Sequence, residues 1–379
     1  MSQLTLTVKV RLKCSDEDHE ELLSSARAYV RAANFVSEYI MSSKILSLKM
    51  LNRDIYRRIR SEYSLRSQMA QSVMKYVIAK YRAYRTAEKR WPEKAIRFKK
   101  PVTELVYNRD YSFRPECISV NTLGGRRKIS FYRSGTDLLA GEGVKYGTAT
   151  LVERHGKWYM HIPVIFDVPE IPACSVNNVA GVDLGINFLA VCYNSSGRSV
   201  FHDGRKVKKK RAHYKELRRQ LQKRQTPSAR RRLKSIGQRE NRWANDVNHC
   251  ISKSLTARDN GENTLFVLED LTGIRSSTER VRLKERYVSV SWPFADLRNK
   301  IEYKARKYNS KAIAVDPAYT SQTCPRCGRT DRNARDKKKH IYKCGCCGYT
   351  SNDDRIGAMN LYNKGIEYLE TAVKEQAAV

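Results

Sequence analysis

Two C-x-x-C-G sequences, CPRCG at 324–328 and CGCCG at 344–348, leave sixteen residues between Cys327 and Cys344. No other feature restricts the fold of this chain so tightly. Each C-x-x-C brings two sulfurs toward one point, and the glycine after it permits the left-handed turn this needs. Two such knuckles supply four thiolates, a set that suits tetrahedral zinc with bonds of about 2.3 Å. The register selects Cys324, Cys327, Cys344 and Cys347, with Cys346 left over and His340 as a substitute ligand. Four thiolates leave no open position, so one zinc here is structural and not catalytic. Six residues beyond Cys347 come two adjacent aspartates, Asp353 and Asp354, at what reads as the start of a helix.

Lysine and arginine number 73 against 39 acidic residues, a net charge of +34 over 379 residues. Like charges on that scale oppose compaction, and a polyanionic partner is the simplest relief. Nucleic acid fits better than an anionic membrane, because no basic amphipathic helix or lipid signal is evident. No run of 18 apolar residues is present, so no transmembrane helix is expected. The opening MSQLTLTVKV lacks a basic stretch followed by an apolar one and does not read as a signal peptide. Leu4, Leu6, Val8, Val10 and Leu12 alternate there with Thr5, Thr7, Lys9 and Arg11, the pattern of a strand. Cys14, Cys117, Cys174, Cys192 and Cys250 stand alone and read as small buried hydrophobes in a reduced protein.

Ser15 with Asp18 is a helix-start signal, and residues 16–90 read as several helices. One apolar face runs through Leu22, Leu23, Ala26, Val30 and Ala33, another through Met69, Val73, Val77, Tyr81 and Tyr84. IRFKKP (96–101) closes this region with a basic turn that contains Arg97, Lys99 and Lys100. From about 102 to 172 the pattern becomes β, with RKISFYR, GTATLVE and KWYMHIPVIF as strands and VPEIPACS as a linker. Residues 178–202 read as strand, turn, strand, hairpin, strand. Between Arg205 and Arg242 stand seventeen Lys or Arg and only two acids, Glu216 and Glu240. Tyr214, Leu217 and Leu221 mark one helix there, and Thr226-Pro227 opens a second. An ordered hairpin with so basic a face fits a nucleic-acid track, and Lys208, Lys209, Arg218, Arg219, Arg231 and Arg232 are its candidate contacts. NTLFVLEDL (263–271) then reads as a buried strand, SWPFADLRNKIEYKARKY (291–308) as a helix and KAIAVD (311–316) as a short strand.

Three acids punctuate these elements. Asp183 follows the apolar VAGV, Glu269 ends LFVL, and Asp354 lies at the start of the last helix. Asp270 and Asp353 compete with the latter two, since neighbouring strand residues face opposite ways. A single acid at a strand end is ordinarily a cap or an ion-pair partner. Three in this order within a basic chain suggest converging carboxylates whose repulsion is relieved by cations. Two Mg2+ ions held there would stabilise the attacking water and the leaving oxygen of a phosphodiester.

GVDLGINFLAV, FVLEDL and NDDRIGAMNL resemble the three motifs of a RuvC-like nuclease, an RNase H fold. YTSQTCPRCG, the second knuckle and the D-x-x-x-A-x-N-L ending are similar to TnpB, the transposon-encoded RNA-guided nuclease ancestral to type V CRISPR effectors; NHCISKSL and WPFADLRNKIEYKA share that likeness. It runs over roughly residues 178–365, and the earlier segments match the family's order by pattern only. The resemblance implies that Asp183, Glu269 and Asp354 are the catalytic, magnesium-binding acids. One departure is visible: many relatives read D-V-N-A-A-x-N after the last acid, where this chain has Arg355 and Gly357 at the edge of the site.

The fold so implied is α+β and multidomain. A β-barrel-like wedge domain (1–14 and 96–172) would receive a helical recognition insertion (15–95). An RNase H-like nuclease domain (173–316 and 349–379, with the basic hairpin at 205–258) would receive a zinc ribbon (317–348). The implied activity is RNA-guided cleavage of double-stranded DNA beside a short adjacent motif, with a guide RNA from the transposon end as cofactor and base pairing reading the target. Gln68 and Gln71 are candidates to reach base edges in that motif. No membrane or small-molecule substrate is implied, and a cytoplasmic, nucleoid-associated prokaryotic protein is expected. A compact type V CRISPR effector is the near alternative, which a repeat array beside the gene would distinguish. A guided DNA-binding regulator would not need all three acids, and a DDE transposase fits the acid order and late knuckle less well. A simple RNA- or DNA-binding protein explains the charge and leaves the acids without a role.

Overall fold

The computed structural model describes residues 2–141, 143–270, 292–336 and 339–377. Leu271 and Ser291, which end and begin two of the elements expected above, lie outside the described residues. The chain divides into two compact units, Gln3–Asp167 and a second from Val168 onward.

The first unit begins with β1 (Ser2–Lys13). Helices α1 (Asp16–Ser43), α2 (Leu48–Tyr63) and α3 (Ser67–Glu88) follow. The expected start of α1 is a full capping box: Asp18 N donates to Ser15 Oγ at 3.1 Å, and Ser15 N donates to Asp18 Oδ2 at 3.2 Å. The remaining strands are β2 (Val102–Leu105), β3 (Tyr111–Phe113), β4 (Cys117–Asn121), β5 (Arg126–Phe131), β6 (Lys145–Tyr146), β7 (Ala149–Arg154) and β8 (Lys157–Val168). They join in the order β2-β7-β8-β1-β5-β4-β3, with β6 on β8. This corrects the expected barrel: the sheet stays open, because β2 and β3 end the path and do not pair with each other. Both are short, four and three residues, which is how an open sheet blunts its edges. Leu22 and Ala26 of α1 pack into the sheet core, while Ala28 through Ile40 join the three-helix core. One helix therefore belongs to both cores.

The second unit is built on β9 (Asn178–Asp183), β10 (Phe188–Asn194), β11 (Ser199–Asp203), β12 (Thr264–Glu269) and β13 (Lys311–Val315), in the order β11-β10-β9-β12-β13. The first three are antiparallel, whereas β9, β12 and β13 run parallel. The sheet is therefore mixed. Residues 264–268 of β12 are all buried, as a central strand covered on both faces requires. Phe266 and Leu268 pack with Ile251 of α5 (Pro227–Lys253) and with Leu297 and Ile301 of α6 (Phe294–Lys307). Leu265 and Val267 face the other way, onto Leu361 of α7 (Asp353–Ala377).

The contact with α7 is unusually close. A Cβ at Gly181 would lie 2.1 Å from Ala358 O and 2.4 Å from Tyr362 N, so only glycine lets the helix rest on β9 there. The basic segment is the expected hairpin, α4 (Arg205–Arg224) and α5, and Thr226 caps α5 by accepting from Ala229 N with Pro227 at the first position. A small sheet of β14 (Arg335–Asp336), β15 (Ile341–Lys343) and β16 (Thr350–Asn352) carries the cysteine segment. The isolated cysteines need a correction: Cys192 is buried, Cys14 and Cys117 are half-buried, and Cys174 and Cys250 are exposed. Cys250 lies on an outward face of α5 and Cys174 in a surface turn, so neither is a core residue.

Candidate active site

Alternation along the two central strands decides which acids meet. In β9, Val179 and Gly181 face α7, so Asp183 does too. In β12, Leu265 and Val267 face α7, so Glu269 does as well. The parallel register sets Leu268 beside Val182, which brings Glu269 and Asp183 to adjacent strand ends. The helix lying across those ends carries Asp354 in its first turn. At Gly357, one turn later, a Cβ would stand 3.0 Å from Asp183 Cγ and Oδ2, so the carboxyl rests directly against the helix.

The competitors are drawn elsewhere. Asp270 accepts from Arg298 of α6 at 3.1 Å, on the opposite side of the sheet from α7. Asp353, 1% exposed, accepts from Arg335 Nε at 2.7 Å and stands 3.6 Å from His340 Nδ1. Asp354 takes one bond from Arg335 at 3.2 Å through Oδ1, while its Oδ2 is buried with no hydrogen-bond partner among the described residues. An unpartnered buried carboxylate oxygen is costly and asks for a cation.

Electrostatics agree. Burial raises the Asp183 carboxyl well above the usual range, and the neighbouring Glu269 and Asp354 raise it further. Glu269 is also pushed up by burial, against which a hydrogen bond from Thr320 pulls down. Burial raises Asp354 too, with Asp353 adding to the effect and Arg335, His340 and Lys208 opposing it. Three acids that resist ionisation together are a donor set for hard divalent cations such as Mg2+, which take carboxylate oxygen. Among the described residues no carboxylate set is as tightly gathered as the four cysteines, whose sulfurs lie within 4.8 Å of one another.

Those sulfurs fit one ion. Cys324 Sγ is 3.6 Å from Cys347 Sγ, and Cys327 Sγ is 3.6 Å from Cys344 Sγ. Four zinc–sulfur bonds of about 2.3 Å on a tetrahedron set the sulfurs about 3.8 Å apart. The knuckles are built alike: Gly328 N donates to Cys324 O and Gly348 N to Cys344 O, with φ of 73° and 72° at the glycines. Cys346 is exposed and outside the set, and His340 turns to Asn187 and Asp353. The last ribbon strand, β16, runs straight into α7, where Asn352 Oδ1 accepts from Asp354 N at 3.1 Å and Arg355 N at 3.2 Å. The knuckle precedes the acids because the ribbon supplies the cap of the helix that presents Asp354.

Sequence reasoning missed three side chains here. Thr320 donates to Glu269 Oε1 at 2.6 Å. Asn360 donates to Thr320 O at 2.6 Å and Thr323 O at 2.7 Å. Arg335 bridges Asp353 and Asp354. Arg355 lies outside the acid pocket: it bonds Ser199 Oγ at 2.9 Å, and its guanidinium lies 5.6 Å over the Tyr193 ring.

The eleven candidate nucleic-acid contacts divide between the two units. In the first, Gln68 accepts from Arg109 at 2.8 Å, Gln71 is half-buried, Arg97 pairs with Glu38 at 3.1 Å, and Lys99 and Lys100 are exposed. In the second, Lys208 bonds Asn187, Arg218 pairs with the buried Glu240, and Arg219 pairs with Glu216 at 2.8 Å. Lys209, Arg231 and Arg232 are exposed.

Fold and pocket together define a class, a mixed α/β domain with a cysteine ribbon spliced in ahead of its last helix. Residues 161–273 match the model of a probable transposase (OrfB_IS605), and residues 294–361 match the Cas12f1-like TNB domain. A CRISPR-associated endodeoxyribonuclease Cas12f1 of Sulfoacidibacillus thermotolerans is 31% identical over 55% of this chain and 50% of its own. A putative RNA-guided DNA endonuclease, InsQ of Escherichia coli K12, is 28% identical over 57% and 56%. A solved structure titled as a Cas12f1–sgRNA–target DNA complex has the same fold, with a TM-score of 0.62 and 13% identity over 96% of this chain and 99% of that one. The chain is thus similar to TnpB-like proteins and to Cas12f1 nucleases. It spans about half the length of the curated relatives it matches.

Proposed function

We propose that this chain is an RNA-guided endonuclease of double-stranded DNA, of the transposon-associated TnpB type. The observation that carries the reading is the meeting of Asp183, Glu269 and Asp354 on one side of the sheet, with a buried oxygen of Asp354 unpartnered among the described residues. These three would hold two Mg2+ ions, and the ions would supply the polarisation of water and leaving oxygen at a phosphodiester. Thr320 would orient Glu269. Arg335, fixed by Asp353, would keep positive charge beside Asp354. One zinc on Cys324, Cys327, Cys344 and Cys347 would hold the ribbon, and through Asn352 the start of α7. The net charge of +34 supports a guide RNA and target DNA as partners, and relatives of both kinds bear names describing nucleases. The domain organisation belongs to this reading: wedge strands with a helical insertion, then the nuclease domain with its ribbon.

A CRISPR effector is the second reading, favoured by the 31% identity to a Cas12f1 enzyme. Purifying the protein from its host and sequencing the RNA that accompanies it tests both. RNA from a transposon end supports the first reading and repeat-derived RNA the second. Absence of any specific RNA contradicts both.

A further inference from the structure

The hairpin of α4 and α5 holds a cavity of about 490 Å³ that the acid pocket does not use. Its lining comes from one face of each helix. Lys210, Tyr214 and Leu217 follow at helical spacing along α4, and Arg232, Ile236 and Arg239 repeat the spacing along α5. Tyr214 and Ile236 belong to the core between the helices and give the cavity an apolar floor. Lys210, Arg232 and Arg239 are exposed around its mouth.

The two sides of the hairpin handle charge differently. Arg211 and Arg218 both pair with Glu240, which is 1% exposed. That acid is thereby occupied. Arg232 and Arg239 pair with no carboxylate among the described residues, and the Lys210 ammonium lies 4.5 Å over the Trp243 ring. The mouth therefore keeps its positive charge.

A lone phosphate would not need an apolar floor or a cavity of this size, which lies in the range of small-molecule pockets, about 300–1,000 Å³. An apolar peptide side chain would not need three cations. A nucleotide satisfies both halves, with its base on the floor and its phosphates at the mouth. The base must be unpaired, because a base inside a duplex offers no face to such a pocket.

We propose that this cavity seats a single unpaired nucleotide of a bound nucleic-acid strand. The inference rests on the guided-nuclease reading, and goes beyond it by naming one seat where charge alone would give a diffuse track.

The test uses the full-length protein with its co-purified RNA, with and without target DNA, and chemical probing of every base. R232A/R239A removes two cations from the mouth. R224A/R230A removes the same charge from exposed positions outside the cavity. Ser235→Trp fills the cavity without changing charge. One base should be shielded in the wild-type complex and become reactive in R232A/R239A and in Ser235→Trp, but stay shielded in R224A/R230A. RNA affinity should fall about tenfold for the mouth pair and less than about threefold for the outside pair. A shielded RNA base seen without DNA identifies the guide as the source; a DNA base shielded only in the ternary complex identifies the target. Equal loss of affinity in both pairs, with no base changing reactivity, overturns the proposal and leaves guided cleavage intact. Wild-type protein that retains no RNA and cuts no DNA overturns the reading beneath it.

Discussion

Thr320 donates its hydroxyl to Glu269 Oε1 at 2.6 Å, and its own carbonyl receives Asn360 of α7 at 2.6 Å. A strand-end acid, the loop ahead of the first knuckle and the last helix are thus tied by one residue. Thr320→Val keeps the side chain's shape and removes the donor. Turnover of the guided cleavage reaction should fall about tenfold, and folding stability by about 1.5–3 kcal/mol, the net worth of one such bond to a charged group. Unchanged turnover would separate Thr320 from the chemistry.

Asn360 should matter to stability. Its amide serves two carbonyls, and Asn360→Ala strands both. The expected loss is about 1–3 kcal/mol per stranded carbonyl, read by denaturant unfolding. A loss under about 0.5 kcal/mol would show that water replaces the amide without cost.

Thr320, Arg335 and Asn360 show where sequence reasoning stops. Their partners lie 51, 18 and 40 residues away, and no local pattern encodes such contacts. Caps, by contrast, are local chemistry, so Ser15 with Asp18 and Thr226 with Pro227 could be read directly. The same limit separates Glu269 from Asp270. Alternation says that only one of them faces the site, but the face is chosen by α7, which begins 84 residues after Glu269. The four cysteines were readable because metal-ligand spacing is itself a short-range signal. The open edge of the first sheet was not, because β2 and β3, neighbours in the chain, pair with β7 and β4 at opposite ends of the strand order, and no local pattern encodes that.

The raised carboxyls fix a pH dependence. Asp183, Glu269 and Asp354 all have folded pKa values above their ordinary ones. A group of this kind contributes stability that is complete below the unfolded pKa, about 4, and is lost as pH rises through the folded value. Divalent cations bind the deprotonated form. The rise in melting temperature on adding Mg2+ should therefore be larger at pH 8 than at pH 5, and D183A should abolish the difference. Equal shifts at both pH values would mean that the ion binds elsewhere.

Metal analysis should find one zinc per chain. Cys324→Ser and Cys344→Ser should lose it, because a structural site needs all its thiolates, and Cys346→Ser should keep it. Cleavage should fall with the zinc, since β16 and Asn352 would no longer hold the start of α7. Loss of zinc from Cys346→Ser with retention in Cys347→Ser would place the ligands in a different register.

The most direct test of the account joins guide and acids in one assay. The protein is reconstituted with its co-purified RNA, the guide segment is replaced by a new sequence, and cutting of a matching plasmid is followed with Mg2+. Wild type should linearise only the matching plasmid. Asp183→Ala, Glu269→Ala and Asp354→Ala should each reduce cutting by at least about a thousandfold while still binding the target, and Asp353→Ala should retain measurable cutting. Normal cutting by Asp354→Ala, or cutting that ignores the guide sequence, would contradict it.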